Sequence, residues 1–577
     1  MARGLAPSLA AVLGCLGAAA SGVCRFGPSY DWDRLPADPA VQDAYVAAML
    51  SWDGKFVSAG KGMSSHGLTC DHVNINADGS LTTGSVCAAA YTAPSKESLH
   101  IEMLALVVSR TRLAWYWIDG AADENAAVTI AVQRLTTIMD AYEAFRTQYP
   151  GLGGFFPWIG VGSNGFKLRN ASGVSLPVVG NGQLAWAMVA AATALTNAGE
   201  TALASRYSAY VVLLGSSINT LYLRPDGRPA TTAQVTDATQ PLSTGNVVQT
   251  GIAAAPYESE LAVMFMDLYG NWSDPSRKTL LWQRVKASTA VAKELSNASL
   301  PNGPITVQRG WRFSSHELWK YMVLPYLDNA MASRVFKNGE RARSWHSHLQ
   351  AIPGLLASSY DASNRYRDTF GILELSMGYT PAADSDLMVT PYGSFPLMLA
   401  DRGHGLAWHR AMVSRPLMQS EIGSVESSQA FQSPPQVAMK ASWDTKVTSD
   451  LAALGGAVDL LRTALQDSGR YARFMQVLSD NYQGWGQVTI RGEATPFAPP
   501  PGLPASDDVS SPSPDFASCR RLATRQAVTL LPASTAVPTT SLPGHSASAS
   551  APLPVLGAGS GLLVLVPVLL GATASWR

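Results

Sequence analysis

Pro256-Tyr257-Glu258-Ser259-Glu260 runs directly into Leu261-Ala-Val-Met-Phe-Met-Asp-Leu-Tyr269, and this stretch sets the reading of the whole chain. Leu261, Met264, Phe265 and Leu268 fall at i, i+3, i+4 and i+7, which predicts an amphipathic or wholly buried helix. Pro256 and Ser259 are start signals just ahead of it. Two carboxylates therefore stand where a loop turns into a buried helix. A carboxyl held against apolar walls is harder to ionise, which suits a general acid. The competing reading is that both glutamates simply occupy the first turn, where the helix dipole favours negative charge. If the helix already includes both, they point about 200° apart, so at most one faces a substrate.

Working outward, helical periodicity dominates. Apolar positions predict helices from Ser95 through Val108, over Ala127–Tyr149, Asn181–Asn197, Thr201–Leu223, Thr279–Leu295 and His316–Tyr326, and over Lys440–Leu465. In the last, Leu451, Leu454, Val458, Leu461 and Leu465 repeat at alternating three and four. Roughly a dozen helices with short connections predict an all-α domain, a bundle or a closed barrel of helical hairpins. His72–Asn76 and Leu81–Thr83, separated by Ala77-Asp78-Gly79-Ser80, read as a short hairpin. Cys70 and Cys87 flank it, and a bridge between them would contribute roughly 3 kcal/mol in the chain-entropy account.

The 577 residues carry 42 basic and 42 acidic side chains, so charge gives no reason to expect nucleic acid as a partner. Arg3 followed by the apolar run Leu5–Ala20 reads as a secretory signal over residues 1–22. Its removal would leave Cys24, Cys70, Cys87 and Cys519, an even number suited to an oxidising compartment. The sequons Asn170-Ala-Ser, Asn271-Trp-Ser and Asn297-Ala-Ser agree with secretion. Residues 23–493 read as one catalytic-size domain, and 494–550 as a Pro/Ser/Ala-rich stalk that cannot bury a core. Small residues at Gly544–Ser550 and an apolar tail over 551–577 have the layout of a glycolipid-anchor signal, with a membrane-spanning helix as its rival. The expected product is a monomer at the cell surface, attached to the membrane only through that tail.

Loops between the helices concentrate aromatic and polar residues: Trp158, Trp311, Phe313, His316, Trp319, Lys320, Tyr392 and Trp443. Aromatic faces beside hydrogen-bonding groups suit sugar rings, although large aromatics also build cores. Metal chemistry fits poorly, since His346/His348 and His404/His409 lack ligand spacing, and no cofactor motif appears. No G-x-S-x-G elbow is present. What remains is a pair of carboxylates on separate loops facing an aromatic cleft, the minimal set for glycoside hydrolysis. Asp444 is the second carboxylate of choice, because Thr448 and Ser449 look like better caps for the helix behind it. Asp119, Asp267, Asp368 and Glu374 are its rivals.

These stretches resemble a family. Ala93-Pro94-Ser95-Lys96-Glu97-Ser98-Leu99-His100, Asn181-Gly182-Gln183-Leu184-Ala185-Trp186, Tyr257-Glu258-Ser259-Glu260-Leu261, Phe313-Ser-Ser-His-Glu-Leu-Trp-Lys320 and Trp443-Asp444-Thr-Lys446 are similar, in this order, to the eukaryotic endo-β-1,2-glucanases of glycoside hydrolase family 162. The resemblance implies an (α/α)6 barrel that cleaves β-1,2-glucan internally with inversion. It implies an acid in the Tyr-Glu-x-Glu motif, Glu258 or Glu260, and Asp444 as base. Asn181, Gln183 and Tyr257 join the aromatic set as expected substrate contacts. A surface carbohydrate-binding protein on the same fold, and a transglycosylase or phosphorylase, are the alternatives.

Overall fold

A computed structural model describes residues 27, 30, 33–76, 79–82, 91–162, 165–253, 259–289, 291–377, 387–415, 417–429 and 436–501. The chain divides into two units, Met1–Arg521 and Leu522–Arg577. The second unit, with the expected anchor tail, lies outside the described residues, as do the signal segment, Tyr257 and Glu258.

The described helices are α1 (Pro39–Asp53), α2 (Pro94–Val108), α3 (Glu124–Gln148), α4 (Val178–Asn197), α5 (Thr201–Tyr222), α6 (Ser259–Tyr269) and α7 (Lys278–Thr289). They continue as α8 (Lys320–Val323), α9 (Ala330–Leu349), α10 (Phe395–Ala400), α11 (Arg402–Val413), α12 (Trp443–Ala453), α13 (Val458–Asp467) and α14 (Tyr471–Tyr482). Even-numbered members from α2 to α12 form an inner ring. Helix α2 packs on α4, α4 on α6, α8 on α10, α10 on α12, and α12 closes back on α2. The α6–α8 step is made by Lys320 and Glu260. Odd-numbered helices pack outside, each against an inner neighbour, as α3 does on α2 and α5 on α4. The fold is an all-α (α/α)6 barrel with short strands in its loops.

Sequence assigns the two layers. Fourteen of fifteen residues of α2 are buried, against seven of twenty-five in α3. An inner helix touches protein all round, whereas an outer one buries a single stripe. Helix α4 has the length and apolarity of a membrane span, and it is a buried member of the inner ring. Its Gly182 permits a close approach between two inner helices: a Cβ there would stand 2.5 Å from the backbone nitrogen of Ala262 on α6.

Three predicted helices are shorter than the periodicity suggested. The run over Thr279–Leu295 stops at Thr289, and Ala292–Leu295 is a strand paired with Ile305–Gln308 across the Asn297–Gly303 turn. His316–Tyr326 splits into a 3-10 turn, Ser315–Leu318, and the single turn of α8. Pro325 cannot continue a helix and holds Leu324 extended at φ −110° and ψ 155°. Lys440–Leu465 opens as a strand, Lys440–Ser442, and then breaks between α12 and α13 at Gly455 and Gly456. Those glycines have φ of 91° and 74°, the left-handed region other residues avoid. The helices α1, α9, α10, α11 and α14 escaped the sequence reading, although Asp38, Asn329 and Asp401 cap α1, α9 and α11.

The expected hairpin pairs differently. Ile75 bridges Leu81 and Asn76 N–H donates to Ser80 O at 2.8 Å, so a turn is present. The ladder of His72–Asn74, however, is with Lys440–Ser442, in antiparallel register His72 to Ser442. Cys70 is disulfide-bonded, while Cys24, Cys87 and Cys519 lie outside the described residues.

Beyond residue 493, where composition shifts, the chain stays on the barrel. Trp345 Nε1 donates to Pro496 O at 2.8 Å, Trp408 Nε1 to Ala498 O at 2.8 Å, and His348 Nδ1 to Pro499 O at 2.9 Å. Residues 494–501 thereby strap α9 to α11.

Two outcomes are expected. Gly182→Val forces side-chain carbon into the α6 backbone and lowers unfolding free energy by about 1–3 kcal/mol. A denaturant midpoint equal to that of the unaltered protein would contradict so close an approach. Non-reducing peptide mapping is expected to join Cys70 to Cys87, and a Cys70 link to Cys24 or Cys519 would refute that pairing.

Candidate active site

The inner helices bring their first turns together at one end of the ring. Lys96 in the first turn of α2 reaches Asp444 in the first turn of α12, with Nζ 2.6 Å from Oδ2. Lys320 at the start of α8 donates to Glu260 at the start of α6, at 2.7 Å. Trp319 Nε1 donates to Tyr392 OH, just ahead of α10, at 3.1 Å. Most of the expected site residues therefore belong to helix starts that share one end of the barrel.

Asp444 stands in the first turn of α12, whose cap is Ser442: its Oγ accepts from Thr445 N at 3.3 Å. The expected caps Thr448 and Ser449 lie inside the helix. Asp444 thus stands where the helix leaves backbone N–H groups unpaired. Its side chain is 28% exposed, so this carboxylate meets solvent. Lys96 is buried and also lies 3.5 Å from Asp71 Oδ1. Asp71 Oδ2 accepts from His72 Nδ1 at 2.8 Å and from Tyr91 OH and Tyr360 OH at 3.1 Å each. Burial pushes Asp71 up, but Lys96 and His72 outweigh it and hold the carboxyl well below the usual range. Burial pulls Lys96 down, yet Asp444 and Asp71 more than restore its proton affinity. Trp158, 37% exposed, roofs this group, its ring centroid 5.1 Å from Lys96 Nζ and 5.6 Å from the Tyr91 ring.

Glu260 is differently placed. It is 1% exposed, and both oxygens are engaged, Oε1 by Lys320 and Oε2 by Tyr326 OH at 2.7 Å. Burial pushes Glu260 up and Lys320 down, with their mutual attraction opposing both shifts. A carboxyl so enclosed braces α6 against α8 and presents no oxygen to the cleft. Glu258, two residues ahead of it, falls outside the described residues.

The remaining sites divide by what their polar atoms already do. Asn181 is buried, accepts from Phe156 N at 2.9 Å and donates to Phe156 O at 2.8 Å, which fixes the loop leading to Trp158. Trp443 is buried and donates to Gly62 O at 2.8 Å. Gln183 is 3% exposed on α4, and Phe313, Trp319 and Tyr392 are similarly enclosed. His316 is held neutral, pushed down to about 3 by burial and by Arg312 and Arg343. Trp311 is the other open aromatic, 48% exposed, with the Arg312 guanidinium 4.3 Å from its ring centroid. The rival carboxylates sit elsewhere: Asp267 is buried against Trp282 and Arg473, Asp368 pairs with Arg312, and Asp119 and Glu374 lie on the exposed surface. Among the described residues no cluster of three or more histidine, cysteine or acidic side chains could hold a metal.

Sequence reasoning missed the support around Asp444. Lys96 lay inside a recognised motif, but nothing local tied it to Asp444, 348 residues away. Asp71 and His72 arrive through the strand pairing, and Tyr360 from yet another loop.

Comparison with known proteins places this arrangement. No curated protein matches the chain. Among solved structures, the endo-β-1,2-glucanase of Talaromyces funiculosus in complex with sophorose is 27% identical, with a TM-score of 0.77 over 86% of this chain and 100% of that one. A mutant of the same enzyme in complex with β-1,2-glucan gives the same identity and TM-score over 86% of this chain and 99% of that one. The endo-β-1,2-glucanase of Chitinophaga pinensis shares the fold, at 10% identity and a TM-score of 0.50, over 78% of this chain and 99% of that one. Residues 68–520 match the family described as endo-beta-1,2-glucanase SGL, and the chain belongs to that family, glycoside hydrolase family 162.

Proposed function

We propose that the protein is a secreted, endo-acting hydrolase that cleaves β-1,2-glucan to shorter oligosaccharides with inversion at the anomeric carbon. Family membership makes it a glycoside hydrolase acting on β-1,2-glucan. The observation that carries the finer reading is Asp444: a partly exposed carboxylate at a helix N-terminus, beneath an open tryptophan, at the open end of the barrel. A base must lie within reach of water, and Asp444, 28% exposed and paired with Lys96, meets that need. Glu258 is the acid in this reading, because the oxygens of Glu260 are taken by Lys320 and Tyr326. Trp158 above Lys96, and Trp311 ahead of α8, are exposed aromatics that supply flat apolar faces for glucose rings.

In an inverting reaction the acid protonates the leaving oxygen while the base takes a proton from the attacking water. Inverting sites commonly hold their carboxyls about 6.5–9.5 Å apart, but relays through a substrate hydroxyl or through waters permit a wider gap. The secretory leader, the three sequons and the apolar tail support export and attachment by a glycolipid. Asn170, Asn271 and Asn297 are all exposed, as glycan acceptors must be.

Asp444→Asn and Glu258→Gln are each expected to fold and to lose roughly 10²–10⁴-fold in activity on β-1,2-glucan, since an amide neither takes nor gives the proton. Glu260→Gln is expected instead to lose about 3–5 kcal/mol of stability, because it leaves the Lys320 ammonium buried without its counter-charge. An active Asp444→Asn protein would remove the base assignment, and a stable but inactive Glu260→Gln would return the acid role to Glu260. Product anomers followed by NMR are expected to be inverted, and retained anomers would reject the mechanism. Phosphatidylinositol-specific phospholipase is expected to release the protein from cells, whereas persistence on the membrane beside a released control would favour a spanning helix.

A further inference from the structure

Lys96 is the one buried cation that touches Asp444 among the described residues, and its surroundings are built to hold it there. It projects from the first turn of α2 with its ammonium between two carboxylates, 2.6 Å from Asp444 Oδ2 and 3.5 Å from Asp71 Oδ1. Asp71 is itself 1% exposed and is fixed by three donors from three segments: His72, Tyr91 and Tyr360. Lys440 lies 4.0 Å over the Tyr360 ring, and Glu426 accepts from Ser442 Oγ, the α12 cap, at 2.6 Å. The array is anchored on the protein side by the buried Asp71 and meets solvent at Asp444 and Trp158, with Tyr91 and Tyr360 half-buried between.

We propose that Lys96 is a positioning residue for hydrolysis: it pins one oxygen of Asp444, turns the other toward the cleft, and is itself locked by Asp71 with His72, Tyr91 and Tyr360. This role rests on Asp444 being the base. A free aspartate can rotate about its two side-chain torsions, and a base displaced by about 1 Å can lose on the order of 10²-fold in rate. A short charge-assisted bond removes that freedom. Because Lys96 is covered by Trp158 and bonded to Asp444, its loss weakens the chemical step while substrate binding is kept.

Lys96→Ala and Lys96→Arg in the full-length protein, assayed on β-1,2-glucan, test the proposal. Lys96→Ala is expected to fold at reduced stability, since Asp71 loses its buried counter-charge but keeps three donors, and to lose roughly 10²-fold in kcat with KM little changed. Added n-propylamine, entering beside the partly exposed Asp444, is expected to restore part of kcat, and n-propanol of the same size to restore none. Lys96→Arg, which keeps the charge on a longer and wider head, is expected to retain an intermediate kcat. Rescue by the amine alone supports positioning by a cation. A loss confined to KM, or equal rescue by amine and alcohol, overturns it. If Lys96→Ala fails to fold, Lys96→Met fills the same space without charge, and an undiminished kcat in that variant overturns the proposal. Asp444→Asn separates the two readings. Activity in Asp444→Asn removes the base assignment itself, while an inactive Asp444→Asn beside a fully active Lys96→Ala removes only the positioning role.

Discussion

A helix inside a closed ring has no side facing water, and most of this structure follows from that constraint. A polar group on an inner helix is costly to bury unless it finds a protein partner or sits at an end, and the charged ones are largely paired. Glu97 on α2 accepts from Thr69 Oγ1 at 2.6 Å, Thr69 N at 2.8 Å and Tyr142 OH at 3.0 Å. Lys446 on α12 pairs with Asp53 of α1 at 2.9 Å, with neither side chain exposed. Glu260 and Lys320 satisfy each other across the ring. Such buried pairs add little net stability, because desolvation offsets attraction, but leaving one partner alone is costly. They therefore fix how the inner helices sit more than how tightly they hold.

The same constraint locates the chemistry. Only the ends of the inner helices reach solvent, and their first turns carry unpaired N–H groups that favour anions. Asp444 occupies such a turn with its cap satisfied by Ser442. The charge against it comes from a second inner helix and is held by a residue delivered through a long-range strand pair. Packing of α12 on α2 sets where Asp444 and Lys96 meet, so the geometry of this pair is a property of the ring's closure.

How much of this was legible in the sequence depends on whether the signal was local. The apolar runs of α4 and α6 and the stripes of α3 and α5 were visible, because burial on all sides and burial on one leave different periodicities. Pro325 and the Gly455-Gly456 pair were visible as residues, yet their power to end a helix was set below the strength of the leucine repeat. Asp444 was chosen on an argument about caps that the structure replaces, since the helix begins earlier and Ser442 caps it. Its chemical environment was not legible at all. Lys96 and Asp71 lie hundreds of residues from it, brought there by ring closure and strand register, and Tyr360 comes from a separate loop, none of which a local pattern encodes. Nor does spacing reveal that Glu260 is sealed by Lys320 and Tyr326.

The strap over residues 494–501 bears on how the barrel answers to force. Any tension entering through the chain after Pro501 meets first the bonds from Trp345, Trp408 and His348 to strap carbonyls, and then the two-pronged Arg334–Glu493 pair at 2.7 Å. These attachments lie on the outer helices α9 and α11, and a pull from the far end meets them in order along the strap. None of these attachments is made to the helices that carry Asp444 and Lys96, so a pull on the strap enters the barrel through its outer layer.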